Sequence, residues 1–292
     1  MIRSKTPTIL ITGATGNVGK ELTKTLSAQL VRFRVMVRSK KGIEAVKALG
    51  VVDVVIGDFD DPESLTRALE GVDRAFLLTN SSERAEAQQS TFVDVANRAG
   101  VKHIVKLSQW AADMDSPVRF LRYHAAVEQK LSESGMSYTF LRPNLFMQGL
   151  LAFRDSIVKQ RKFFAAAGDA KISAVDVRDI AAVAAAALTG LGHEEKIYDL
   201  TGPEALTHGE MAEKLSAAIG REIQYVDIPP ESMMDALLGF GMPQWQAAGL
   251  IEDYAHYRRG EALAVATGVQ DATGSPPRSF DDFARHYASA FS

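Results

Sequence analysis

Thr8-Ile9-Leu10-Ile11-Thr12-Gly13-Ala14-Thr15-Gly16-Asn17-Val18-Gly19 decides the fold of this chain. The apolar centre of residues 8–12 marks a short strand buried on both faces, and a helical pattern follows over 18–28. Between them glycine stands at 13, 16 and 19. The first glycine permits the sharp turn, the second lets backbone approach a pyrophosphate, and the third lets the helix pack close to the strand. The phosphates of a dinucleotide would then rest on the helix N-terminus, where unpaired N–H groups and the helix dipole favour anions. The residues placed to face such a ligand are Gly13, Thr15, Gly16, Asn17, Val18 and Gly19. Gly19-Lys20 imitates a nucleoside-triphosphate loop, but Ala14 holds the position of its first glycine and Glu21 that of its Ser/Thr.

Working outward, strand-like runs at 33–38, 52–57, 75–79, 103–108 and 138–141 alternate with helical patterns at 41–49, 83–99 and 118–132. Asp61-Pro62 starts a further helix, with Asp61 as cap and Pro62 in the first helical position. This alternation predicts an α/β fold, a doubly wound parallel Rossmann sheet with its ligand outside the carboxyl ends of the strands. After Pro143 the rhythm changes. Helices are expected at 146–160, 176–188, 208–219 and 280–291, strands at 196–200 and 223–228, and a Gly- and Pro-containing segment lies at 267–277. These define a smaller C-terminal α+β lobe. The expected division is residues 1–150 for the dinucleotide domain and 151–292 for the substrate lobe, with 176–200 returning to the first domain.

The composition fits a globular protein: 46% of the 292 residues are hydrophobic and 24% charged, with a net charge of -3. Nothing in that balance points to nucleic acid or an anionic membrane as partner. The chain has no cysteine, which excludes disulfides, thiolate metal sites and a cysteine nucleophile. Its six histidines are scattered without an HExxH pair, so no metal is expected. The apolar runs are too short for a signal peptide or a bilayer span, and a cytoplasmic protein is expected.

The second strand carries the evidence on cofactor type. An NAD-binding chain places an acid there to hold the ribose 2′-hydroxyl. This chain has Arg38, followed by Ser39, Lys40 and Lys41, and no acid between Val31 and Ile43. A guanidinium pairs with a 2′-phosphate through charge-assisted hydrogen bonds, so NADP(H) is the expected cofactor. Asp58 at the end of the third strand could accept from the adenine amino group, or simply cap a turn, and Phe59 could cover the ring. Leu78, Thr79 and Asn80 end the fourth strand and should line the central part of the cofactor.

Several segments, in order, resemble the NmrA-like family, an atypical branch of the short-chain dehydrogenase/reductase superfamily. They are the glycine turn, Val37-Arg38, the stretch 57–65 (Gly-Asp-Phe-Asp-Asp-Pro-Glu-Ser-Leu), Leu141-Arg142-Pro143-Asn144, the stretch 175–181, and the start of the last helix at Ser279-Phe280-Asp281-Asp282-Phe283. The resemblance covers nearly the whole chain and adds Pro143 and Asn144 to the cofactor candidates. It implies either an NAD(P)H reductase of quinones, azo dyes or triarylmethane dyes, or a dinucleotide-binding regulator that senses redox state without turnover.

Ordinary members of the superfamily use a serine after the fifth strand and a Tyr-x-x-x-Lys pair on the next helix. Ser108 matches the serine, and serves as a candidate for both catalysis and cofactor contact. Tyr123 matches the tyrosine, but Val127 stands where the lysine belongs, and Lys130 is about 10 Å along the helix axis. Acid–base reduction of a simple carbonyl is therefore not expected. His124 and Glu128 share a helix face, and a carboxylate beside the imidazole would raise its pKa and make His124 a proton donor. Quinones and dyes accept hydride directly and need mainly a dry, aromatic-lined pocket. Trp110, Phe146 and Met147 are the candidates for that lining, with Met233, Met234, Phe240, Met242 and Trp245 further along. The expected function is an NADPH-dependent reductase of a flat conjugated small molecule. A redox-sensing regulator and a nucleotide-sugar epimerase are the alternatives.

Overall fold

The computed structural model describes residues 8–292. Its nine strands are β1 (Ile9–Ile11), β2 (Phe33–Val37), β3 (Asp53–Ile56), β4 (Arg74–Leu77), β5 (His103–Leu107), β6 (Ser137–Pro143), β7 (Lys162–Ala165), β8 (Lys196–Leu200) and β9 (Gln224–Asp227). Seven of them form one sheet in the order β3-β2-β1-β4-β5-β6-β8. β1 pairs in parallel with β2 and with β4, and the parallel pairing continues from β2 to β3, from β4 to β5 and from β5 to β6. The chain thus runs outward from β1 to β3 and resumes at β4 on the other side. The order reverses between β1 and β4, which is where such sheets bind dinucleotides.

Burial explains why these runs are strands. Ile9, Leu10 and Ile11 are fully buried, and all five residues of the central β5 are buried, whereas β3 at the edge is half-exposed. Helices between the strands pack Leu10, Phe92, Ile104 and Phe140 into one apolar cluster, each side chain worth about 1.5–3 kcal/mol of transfer free energy. Helix Pro62–Leu69 begins as its sequence predicts: the Asp61 carboxylate accepts the N–H groups of Glu63 and Ser64 at 3.1 and 3.2 Å, with Pro62 in the first turn.

The chain divides into two compact units. The first holds the residues up to Ser108, then Tyr123–Arg142 and Ile180–Tyr198. The second holds Gln109–Arg122, Pro143–Asp179 and Asp199–Ser292. A single cut at residue 150 does not follow this packing. β8 lies beside β6 in the large sheet, so the chain returns to the first unit to complete it. Within the second unit, β7 and β9 form a two-stranded parallel sheet. Its core contains Phe163, Phe280, Phe283 and Phe291, all fully buried. Reciprocal capping boxes, Thr207 with Glu210 and Ser279 with Asp282, start helices His208–Ile219 and Phe280–Tyr287.

One local expectation is corrected. The helix expected over 146–160 is a 3₁₀ segment, Met147–Phe153, joined to an α-helix, Arg154–Gln160. Arg161 in the left-handed region (φ 58°) ends it and turns the chain into β7, a strand the sequence reading lacked. The segment 267–277 contains a short helix, Gly268–Thr273. Gly268 is required there, because a Cβ would lie 2.3 Å from the Asp199 carbonyl oxygen.

Candidate functional site

The glycine turn has the geometry its spacing implies. Gly13 adopts φ +68°, and a Cβ on it would meet the Leu78 side chain at 2.7 Å. A Cβ on Gly19 would lie 2.2 Å from the Gly13 carbonyl oxygen, so the helix can approach the strand only with glycine there. Gly16 differs: the nearest atom to its Cβ would be that same oxygen, at 3.4 Å, and the space beyond is open. Gly16 also caps helix Asn17–Ala28, which has no side-chain cap and no acid in its first turn. Thr15, Gly16 and Asn17 are exposed, while Val18 and Gly19 pack inward. An open, positively polarised helix start beside an unfilled glycine fits a pyrophosphate. Thr12 ties the turn to the end of β4, its Oγ1 accepting the Leu78 N–H at 2.9 Å.

Arg38 follows β2 directly. It is exposed and makes no hydrogen bond or ion pair with any described residue. Ser39 caps the next helix by accepting the Gly42 N–H, and Lys40 and Lys41 are exposed in its first turn. The strand end at 57–60 behaves differently from its candidate role. Asp58 accepts the Asp60 N–H at 3.0 Å, which makes it a turn cap. Phe59 is half-buried against Phe92, with ring centroids 5.6 Å apart, so it belongs largely to the core. At the end of β4, Leu78 and Thr79 are half-buried and Asn80 exposed, and Thr79 Oγ1 accepts the Gln89 amide at 2.8 Å.

A buried polar cluster lies at the end of β5. Lys106 and Ser108 are two apart in an extended segment and so point to one side. His124 and Glu128 face them from helix Arg119–Ser132. Ser108 donates its hydroxyl to Glu128 Oε1. Glu128 also accepts Arg142 Nε at 3.0 Å in a two-point ion pair. The fully buried Lys106 places Nζ 2.7 Å from His124 Nδ1 and 3.3 Å from the Leu107 carbonyl oxygen. Burial lowers the Lys106 pKa to about 7, with Glu128 opposing and Arg142 adding to the shift. Burial, then the Lys106 and Arg142 charges, hold His124 well below the usual histidine range. What differs from expectation is the environment of His124: its hydrogen-bond neighbour is Lys106, not Glu128, and its pKa moves down. The Ser108 hydroxyl donates to Glu128, a partner that its position after β5 did not reveal. Tyr123 is buried, with its hydroxyl 3.0 Å from Ser81 Oγ and its ring against His124 at a centroid distance of 4.2 Å. Val127 is fully buried, and Lys130 pairs with Asp94 instead of any tyrosine. Sequence reasoning missed Lys106. Its signal is a charged residue beside Val105 and Leu107 in a fully buried central strand, two before Ser108.

The remaining candidates belong to the second unit. Trp110 is half-buried and donates Nε1–H to the Glu261 carbonyl at 3.0 Å. Phe146 is half-buried and bridges to Val175. Met147 is corrected: it is buried in the apolar cluster of the second unit. Pro143 is buried, and its carbonyl accepts the Trp110 N–H at 2.9 Å. Asn144 is tied into the second unit. Its amide nitrogen donates to Ser173 Oγ and the Ala262 carbonyl, both at 2.9 Å, and Oδ1 accepts the Leu145 N–H, so the side chain is a structural knot. Among the described residues no group of three or more His, Asp or Glu could hold a metal, and no helix is long and apolar enough to cross a membrane.

Strand order and glycine turn define a Rossmann-type dinucleotide-binding protein. Comparison with known proteins narrows this: the chain belongs to the NmrA-like family, which it matches over residues 5–264. It is 38% identical to an NAD(P)H azoreductase of Xenophilus azovorans, over 97% of this chain and 99% of that one. An NADPH-dependent quinone oxidoreductase from Escherichia coli, solved with NADPH, superposes with a TM-score of 0.83 at 29% identity, covering 95% of this chain and 99% of the other. The triphenylmethane reductase of Citrobacter sp., solved with NADP(H), gives a TM-score of 0.83 at 27% identity, covering 96% and 99%.

Proposed function

We propose that this protein is an NADPH-dependent reductase that delivers hydride to a flat, conjugated acceptor of the quinone or dye type. The enzyme class and cofactor rest on kinship along nearly the whole chain: the chain is an NAD(P)H-dependent oxidoreductase, and relatives of its fold are solved with NADPH or NADP(H). The choice of acceptor rests on one observation. The Ser108 hydroxyl, which would hold a substrate carbonyl in an ordinary short-chain dehydrogenase, is buried and donates to Glu128. Tyr123 lacks a lysine four residues on, so the usual acid for carbonyl reduction is not assembled. An acceptor whose carbonyl need not be held and protonated by a Ser–Tyr–Lys arrangement fits what remains.

In this reading the glycine turn holds the pyrophosphate and Arg38 the 2′-phosphate. The bound cofactor supplies the hydride. Leu78, Thr79 and Asn80 line its central part. The test is NADPH oxidation followed at 340 nm with a panel of quinones, azo dyes, triarylmethane dyes and a simple ketone. Turnover of the conjugated acceptors with none of the ketone is the expected result. Robust ketone reduction would refute the choice of acceptor, and tight NADPH binding without turnover of any acceptor would refute the enzyme.

A further inference from the structure

We propose that Lys106 and His124 form a buried proton relay, which protonates an acceptor as it receives hydride; the proposal rests on the reductase reading above. Three observations carry it. Lys106 Nζ and His124 Nδ1 are 2.7 Å apart, a full hydrogen bond. Lys106 is 0% exposed, so the imidazole is its route outward. His124 is 7% exposed, and its other ring nitrogen, Nε2, has no partner among the described residues.

The bond works in both directions of charge. A cationic Lys106 donates to Nδ1, which leaves the hydrogen of the neutral imidazole on Nε2. A neutral Lys106 accepts from a protonated Nδ1. A proton can therefore leave Nε2 while another moves from Nζ to Nδ1, and no ion is left stranded. The acceptor gains the hydride and this proton, Lys106 changes from ammonium to amine, and solvent later restores its proton. The depressed lysine pKa, near 7, makes that loss inexpensive at neutral pH. The charged and titratable groups around the pair are Glu128 and Tyr123 on the helix of His124, and Arg142 on β6. Glu128 is held by Ser108 and Arg142, so it neutralises the arginine and leaves the lysine as the mobile charge.

The relay matters according to the acceptor. A quinone that has taken hydride becomes a phenolate, whose conjugate acid has a pKa of about 10, and water protonates it readily on release. An azo bond that has taken hydride becomes a far stronger nitrogen base and needs its proton during the transfer. The pair therefore extends the protein from quinone-like to azo-like acceptors. His124 would touch the acceptor. Lys106 acts through it as a positioning residue.

The experiment uses the full-length chain and the variants His124→Asn and Lys106→Met, with circular dichroism as a check on folding. Asparagine still accepts the Lys106 hydrogen bond but cannot pass a proton. Dye reduction by both variants is expected to fall by on the order of a hundredfold, the lower end of what a positioned proton donor contributes, and quinone reduction only severalfold. The wild-type dye rate should decline as pH rises through about 7, because only the ammonium form can donate, and this limb should vanish in both variants. Independently of activity, one lysine ε-carbon should titrate near neutrality in the NMR spectrum and be missing from Lys106→Met. Equal losses with dye and quinone, an unchanged pH profile in His124→Asn, or a Lys106 that stays charged above pH 9 would each overturn the relay while leaving the reductase reading in place. Quinone turnover without any dye turnover in the wild type would do the same. A wild type inert towards both acceptors would remove the reductase reading, and the relay with it.

Discussion

Arg38 is exposed at the end of β2 with no hydrogen-bond or ion-pair partner among the described residues, so its side chain is available to a ligand. Arg38→Asp should weaken NADPH binding by roughly 1.5–3 kcal/mol, the value of hydrogen bonds to a charged group, and leave NADH binding much less affected. Calorimetric titration of both cofactors checks this; equal wild-type affinities for the two would refute the role of Arg38. Gly16 and Gly19 separate ligand space from packing. Gly16→Val points its side chain into open space, so the fold should survive while NADPH binding is lost. Gly19→Ala should instead destabilise the protein itself, because its Cβ collides with the backbone of Gly13. Thermal melts with and without NADPH distinguish the two cases. Tyr123→Phe removes a hydroxyl bonded to Ser81 and should lower quinone turnover less than about tenfold, under roughly 1.4 kcal/mol of barrier.

At the scale of elements, the sequence was most legible where one rule acted alone. The β1 run, the glycine turn and the Asp61-Pro62 helix start are each fixed by local chemistry, and each is in place. Asp61→Ala removes two capping hydrogen bonds and should cost about 1 kcal/mol, readable as a lower melting temperature. Legibility failed where tertiary packing decides. The pattern over 146–160 looks helical throughout, yet a left-handed Arg161 breaks the chain into β7, whose partner β9 lies about sixty residues on. The polar cluster was half-legible. Spacing placed His124 and Glu128 on one helix face, but it could not tell that β5 presents Lys106 to the first and that Ser108, just after the strand, faces the second. Asn144 and Met147 show the same limit: a strand-end position does not reveal that the first is tied to Ser173 and Ala262 or that the second packs in the apolar cluster of its unit.

For the molecule as a whole, buried histidines set the response to acid. His103 in the first unit and His208 in the second both have pKa values lowered to about 4, chiefly by burial. Each also has an Nδ1 without a partner among the described residues. An unfolded histidine binds a proton near pH 6.5, so protonation favours the unfolded chain below that pH. Stability should hold above pH 6.5, fall as pH drops towards 4, and lose roughly 3 kcal/mol per histidine over that window. His208→Phe, placed among Phe163, Tyr225 and Tyr254, should make the acid limb shallower. Urea midpoints at pH 7.5 and 4.5 for both proteins provide the check, and parallel pH dependences would refute the assignment.

The alternation of the chain between its two units has a consequence for how the protein is made. The last strand of the large sheet, β8, is synthesised only as the chain reaches residue 200, after two segments of the second unit, Gln109–Arg122 and Pro143–Asp179. Neither unit is a continuous stretch that can finish folding before the other begins. Nascent chains stalled at residue 150 should therefore stay open to protease, and chains stalled beyond residue 200 should begin to resist it. A nick or early stop between the two would leave β6 as a naked sheet edge, the form of this protein most exposed to aggregation.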